Sequence, residues 1–317
     1  MTRKHICRLP GAAVASGAAL LLLSGCFGGD SPEKNVPPPK LTFSRTAQIA
    51  TVRPDGTGLR VRGPASNFAQ APAPVWSPSG AEIAFAFQRC SACKSRLIAL
   101  GRGGGTRALH DAVGGDPSWS PDGLRLAYTH KDEEDRELIV LTLASGATNE
   151  PATAENASHP SWFPSGRSIV FAAEVNERLQ LFRVAPDGTG ERQLTTSGFY
   201  DDPAVSPDGK QLAFACLSEA VTWDLCLSDA HGGGIRRIVR LPGNERGPSF
   251  SPDGKRLVFS GDHGSRGGER ALYVLNLGSG AVSRITPTTL DAGEPDWSPN
   301  GKAIVFALRR LVPVSAG

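Results

Sequence analysis

The sequence predicts an all-β protein, a six-bladed propeller with four antiparallel strands per blade, and three observations carry that prediction. A short unit recurs at Pro74, Pro117, Pro160, Pro203, Pro248 and Pro295: a proline, a spacer, an aromatic or apolar residue, then a proline-containing turn ending in glycine. Its aromatic slot holds Trp76, Trp119, Trp162, Val205, Phe250 and Trp297, at intervals of 43, 43, 43, 45 and 47 residues. A period in the low forties with strand and turn content marks a propeller array. The two ends of the repeat region are also incomplete in complementary ways. Ile49 to Gly58 match a third-to-fourth-strand hairpin with no turn motif before it, and the chain beyond Phe306 has no third or fourth strand. Pairing the two halves closes the ring and covers the sheet edges that would otherwise template aggregation.

In chain order, residues 1–25 have the form of an export signal. Arg3, Lys4 and Arg8 make a basic start, and Gly11 to Leu23 form an apolar stretch too short to span a bilayer comfortably. It ends in Leu23-Ser24-Gly25-Cys26, which is similar to a bacterial lipobox; that similarity implies cleavage before Cys26 and acylation of its thiol. Residues 26–40 carry Gly, Pro and charge with little apolar surface, and read as a flexible tether. Residues 41–317 are the propeller.

Within a repeat, the innermost strand ends at the aromatic slot. In the second repeat Pro121 presets φ for a tight turn, Asp122 folds its carboxylate onto the backbone, and Gly123 tolerates positive φ. Second strands follow at Ile83, Leu126, Ile169, Leu212, Leu257 and Ile304, with the same slots apolar in all six, so blade faces are expected to stack. Third strands read from Leu97, Leu138, Leu181, Leu225 and Leu272, and Gly-rich hairpins lead to short fourth strands. The four tryptophans of the aromatic slot are expected to pack blade against blade.

Of six cysteines, Cys7 lies in the signal and Cys26 at its end. Cys216 and Cys226 bracket a hairpin, and Cys90 and Cys93 sit in the equivalent hairpin of the first blade. In an exported protein such pairs are expected as disulfides. The formal charge of +3 is supplied by Arg3, Lys4 and Arg8, so the domain is nearly neutral and has no basic field for nucleic acid or anionic lipid. The membrane is reached through the lipid anchor alone, and a monomer is expected.

No nucleophile elbow, HExxH, phosphate loop or EF-hand loop is present, so no catalytic residue is assigned. Gly101 to Gly105 read as a hairpin. The candidate binding residues precede the repeat prolines, where the innermost strands begin at one mouth of the central channel: Asp116, His159, Asp201, Asp202, Glu245, Arg246, Asp291 and Glu294. Such a ring suits a basic peptide segment, or a cation such as calcium through oxygen ligands; no other cofactor is expected.

The W-S-P-D-G-x-x-I-A-F unit, with Leu194-Thr195 and Ile285-Thr286 closing repeats, resembles the TolB-type WD-like propeller repeat over Thr46 to Leu308. The resemblance implies a propeller of the bacterial envelope, periplasmic or on the outer surface, that binds a protein or peptide. Where periplasmic members carry a separate N-terminal α/β domain, this sequence reads as lipobox and tether. The alternative expectation is an envelope enzyme acting on a saccharide in the axial pocket.

Overall fold

The computed structural model describes residues 42–63, 73–88, 95–111, 114–131, 135–263 and 268–314. The signal, lipobox and tether lie outside these residues, as do Cys90 and Cys93. Six four-stranded antiparallel sheets follow one another in chain order. Their innermost strands are Val75–Trp76, Gly114–Trp119, Ser158–Trp162, Tyr200–Val205, Glu245–Phe250 and Ala292–Trp297. The sixth blade is composite, as the complementary ends predicted. Its inner pair, Ala292–Trp297 and Ile304–Val314, is continued by Thr42–Val52 and Arg60–Val61. The closing register runs from Thr42 opposite Val314 to Val52 opposite Ile304. The only helical element among the described residues is a 3-10 turn at Thr288–Leu290.

The core is a set of layers between blades. One layer joins Ala127, Leu138 and Val140 of the second blade to Trp162, Ile169 and Phe171 of the third. The closing layer joins Ile49 and Val305 to Ile83, Phe85 and Ile98 of the first blade. Second-strand residues such as Phe171, Phe214, Phe259 and Phe306 are fully buried, which is why those slots stay apolar in every repeat.

The turn after each innermost strand is a closed local network. The Ser120 N–H donates to the Arg125 carbonyl (3.0 Å), the Gly123 N–H donates back to the Ser120 carbonyl (2.8 Å), and the Leu124 N–H donates to the Asp122 carboxylate (2.9 Å). Gly123 has φ of 71°, the left-handed value that its missing Cβ permits. The serine hydroxyl also donates to the turn carboxylate, at Ser120 with Asp122, Ser206 with Asp208 and Ser251 with Asp253.

Cys216 and Cys226 are disulfide-bonded with Cα atoms 5.8 Å apart. Their placement differs from the expected one: Cys216 lies inside strand Gln211–Leu217, opposite Asp224, and Cys226 lies opposite Phe214. The bond therefore runs diagonally across adjacent strands. Closing a loop of this length restricts the unfolded chain by about 2–3 kcal/mol. A Cys216→Ser/Cys226→Ser variant is expected to lose about that much in urea unfolding, and the difference from the native protein is expected to vanish when both are reduced.

Candidate functional site at the axial cavity

Five innermost strands carry a proline, and in the first blade Pro74 directly precedes the strand; a proline has no N–H for the ladder and so is accommodated at an irregularity. In five blades the register shifts across this proline, between Gly115 and Ser118, Ser158 and Ser161, Asp201 and Ala204, Arg246 and Ser249, and Gly293 and Asp296. The residue just before the proline is left-handed in all six blades: Ala73 (φ 37°), Asp116 (51°), His159 (50°), Asp202 (52°), Gly247 (61°) and Glu294 (51°). Asp, His and Gly enter this conformation more readily than other residues, whereas Ala73 and Glu294 bear its full strain. All six line one axial cavity of about 290 Å³.

Charges of alternating sign run around this cavity from blade to blade. His159 Nδ1 lies 2.8 Å from Asp201 Oδ1 and 3.3 Å from Asp202 Oδ1, and its Nε2 lies 3.8 Å from Asp116 Oδ2. Arg246 donates from Nε to Asp202 Oδ2 and from Nη2 to Asp201 Oδ2, each at 2.6 Å, while its guanidinium stacks 4.4 Å over the Trp223 ring. The Gly247 N–H adds a third donor to Asp202 (3.0 Å). Arg270 then reaches Glu294 Oε1 at 3.2 Å and Asp291 Oδ1 at 3.7 Å.

This wiring sets the protonation states. Burial works against the His159 cation, but Asp201, Asp116 and Asp202 outweigh it and hold the imidazole protonated well above its ordinary range. Burial likewise works against an ionised Asp202, and Arg246 and His159 overcome it, holding the carboxyl well below the usual range. Two aspartates, one imidazolium and one guanidinium thus form a compensated buried cluster. Donor atoms of His159, Asp201 and Asp202 lie within 4.8 Å of one another, a spacing compatible with a metal ion. Arg246 and His159 already supply positive charge to the same oxygens.

The candidate residues divide by position. Asp116, His159, Asp202 and Glu294 line the cavity. Asp201 and Arg246 stand one residue further out and hold that lining in place. Asp291 is tied to Arg270. Glu245 is elsewhere: it is fully buried, and neither of its side-chain oxygens has a hydrogen-bond partner among the described residues. Its slot, three residues before the proline, holds Gly114, Ala157, Tyr200 and Ala292 in other blades, and at Gly114 a Cβ would come within 2.0 Å of the Thr129 carbonyl oxygen. Burial, reinforced by Asp224, raises the Glu245 carboxyl to about 8.

A further column of side chains links neighbouring blades. The residue after the proline clasps the next blade: Ser161 Oγ accepts from the Val205 N–H (3.3 Å), Ser249 Oγ from the Trp297 N–H (3.3 Å), and Asp296 Oδ2 from the Trp76 N–H (2.8 Å) at the closing seam. Burial raises the Asp296 carboxyl to about 6 against those hydrogen bonds. The recurrence of a small polar residue at that column, Ser118, Ser161, Ser249 and Asp296, is the signal that marks it.

Fold and site together define a six-bladed propeller with a charged axial cavity. The sequence matches the TolB beta propeller domain over residues 55–219 and 197–312, so the chain belongs to the TolB β-propeller family. A curated relative, the Tol-Pal system protein TolB of Francisella tularensis subsp. mediasiatica (strain FSC147), is 34% identical over 89 residues, 28% of this chain and 20% of that protein. An uncharacterized protein of Agrobacterium fabrum (Atu1656) is 30% identical over 84 residues, 26% of this chain and 28% of its own. The chain thus aligns with only 20% to 28% of these relatives' length. In fold it is similar to a putative TolB from Agrobacterium tumefaciens (TM-score 0.71, 21% identity, 86% of this chain and 100% of that one). It is similar also to TolB from Acinetobacter baumannii (TM-score 0.60, 17% identity, 84% of this chain and 65% of that one).

Proposed function

We propose that this protein is a cell-envelope lipoprotein, anchored through Cys26, whose propeller holds a protein or peptide partner at the axial cavity. The carrying observation is the arrangement of charge around the mouth. Charges alternate blade by blade from Asp116 to Glu294, but among the described residues the first blade lines the cavity with Ala73, Pro74 and Val75, none of which has a polar side chain. Asp116 and Glu294 flank that gap with side chains 24% and 23% exposed. Counting Asp116, Asp201, Asp202, Asp291 and Glu294 against His159, Arg246 and Arg270, the mouth carries excess negative charge. A Lys or Arg side chain of a partner entering beside Ala73 would complete the alternation at low desolvation cost, and electrostatic complementarity of this kind gives specificity and fast association. Curated relatives named as Tol-Pal system proteins support a partner of protein nature.

The saccharide-enzyme reading has less support. It needs a carboxylic acid kept protonated and free to donate in the cavity. Asp202 is held ionised, and Asp296, though raised to about 6, spends its oxygens on Trp76 and Ser249.

The test is affinity capture from membrane extracts with the tagged full chain, beside an Asp116→Asn/Glu294→Gln variant. Both substitutions keep side-chain shape at partly exposed positions, so folding is retained. The expected result is a protein held by the native chain and at least tenfold depleted with the variant; equal retention by both removes the mouth as the binding site. Radiolabelled palmitate incorporated by the native chain and not by Cys26→Ser tests the anchor.

A further inference from the structure

We infer that the seam where the ring closes carries a second, independent binding site, for a small molecule that joins a flat ring to an anionic group. The inference starts from how the indoles of the aromatic slot are covered. At two blade interfaces an arginine of the preceding blade lies over the ring: Arg125 at 4.7 Å from the Trp162 centroid and Arg256 at 4.8 Å from that of Trp297. Both arginines stand two residues after the turn glycine. At the closing seam the same position is Ala303, and the indole it faces is Trp76. Trp76 is only half-buried, whereas Trp119, Trp162 and Trp297 are 9%, 6% and 4% exposed.

Where Ala303 stands there is a cavity of about 300 Å³, floored by Trp76, Ile83 and Leu100. Among the described residues its rim carries Arg62, Arg102 and Lys302 and no carboxylate. Arg62 donates to Thr51 Oγ1 (3.3 Å) and Arg102 to the Gly80 carbonyl (3.0 Å), and none of the three cations forms an ion pair with a carboxylate among the described residues. An apolar aromatic floor with convergent polar groups of one sign is the composition of a small-ligand site. The open indole face takes a planar ring by stacking. Three cations on the rim take a carboxylate or phosphate through charge-assisted hydrogen bonds. The site shares no lining residue with the axial cavity, so it stands whether or not the mouth binds a protein.

Calorimetric titration of the full chain tests it, with phenyl phosphate as probe and benzyl alcohol and inorganic phosphate as controls. Phenyl phosphate is expected to bind one site at least tenfold more tightly than either control. Ala303→Arg rebuilds the cover seen over Trp162 and Trp297, and is expected to weaken binding at least tenfold with unfolding no earlier than in the native chain. Lys302→Glu, at an exposed position, is expected to weaken binding by a similar factor. The inference is overturned if phenyl phosphate binds no better than its two halves, or if both variants bind it as the native chain does.

Discussion

Replacing Arg246 by Met is expected to remove about 3–5 kcal/mol of stability, the largest effect of any single change at the axial site. The guanidinium holds Asp201 and Asp202 together, and their side chains are only 7% and 6% exposed. Without it His159 alone faces two buried carboxylates, and a buried ion cluster broken on one side costs far more than the intact cluster contributes. Denaturation at pH 7 reads the loss. Adding Asp202→Asn to Arg246→Met is expected to recover at least half of it, because the uncompensated charge then disappears. Arg246→Lys is expected to fall between the two, since an ammonium does not reproduce the forked contacts to both aspartates. The cluster also sets an acid limit: the Asp202 contribution is present above its unfolded value near 3.8 and is lost as pH falls toward its depressed native value. If Arg246→Met unfolds with native stability, the charge cluster is not what holds the mouth.

Glu245→Gln is expected to stabilise the protein at alkaline pH, the reverse of the usual result for a buried substitution. The native carboxyl is raised from 4.5 to about 8. Between those values the folded protein binds a proton that the unfolded chain releases, so stability falls as pH rises through that window. The full swing at this one site is on the order of 5 kcal/mol. Gln carries no such proton, so the variant and the native protein are expected to be similar at pH 5 and the variant more stable at pH 8.5. Asp296, raised in the same sense to about 6, leaves a smaller slope in both proteins below that pH. His159 contributes in both as well, its stabilisation being lost above 6.5 as pH approaches its raised native value. The difference between the two curves isolates Glu245, and parallel curves across pH 5–8.5 would contradict its burial as an acid.

These two residues also show where the sequence is legible and where it is not. Blade number, turn chemistry and ring closure follow from columns that recur six times, because a residue facing a neighbouring blade meets the same environment in each repeat. The left-handed column before each proline is legible in the same way, and four of its members, Asp116, His159, Asp202 and Glu294, were expected at the mouth. Glu245 lies outside the cavity lining, because adjacency to the proline is a coarser guide to position than register. It belongs to the column of Gly114, Ala157, Tyr200 and Ala292, of which only Ala157 and Ala292 are buried as it is. The links between blades were not legible, since pairings such as His159 with Asp201 or Asp296 with Trp76 depend on side-chain direction across an interface. No repeat pattern encodes that. Nor does one show that Ala303 leaves Trp76 uncovered until the Arg125 and Arg256 contacts are known.

The most direct measurement of the central claim is site-specific photo-crosslinking in membranes. A benzoylphenylalanine is placed at Ser118, which lines the axial cavity, and separately at Leu124, which is 63% exposed at the turn beyond the other end of the same innermost strand. A protein adduct from position 118, absent from position 124 and competed away by the unlabelled native chain, is the predicted result. Adducts from position 124 alone, or from both positions equally, would place the partner outside the axial cavity and contradict the account.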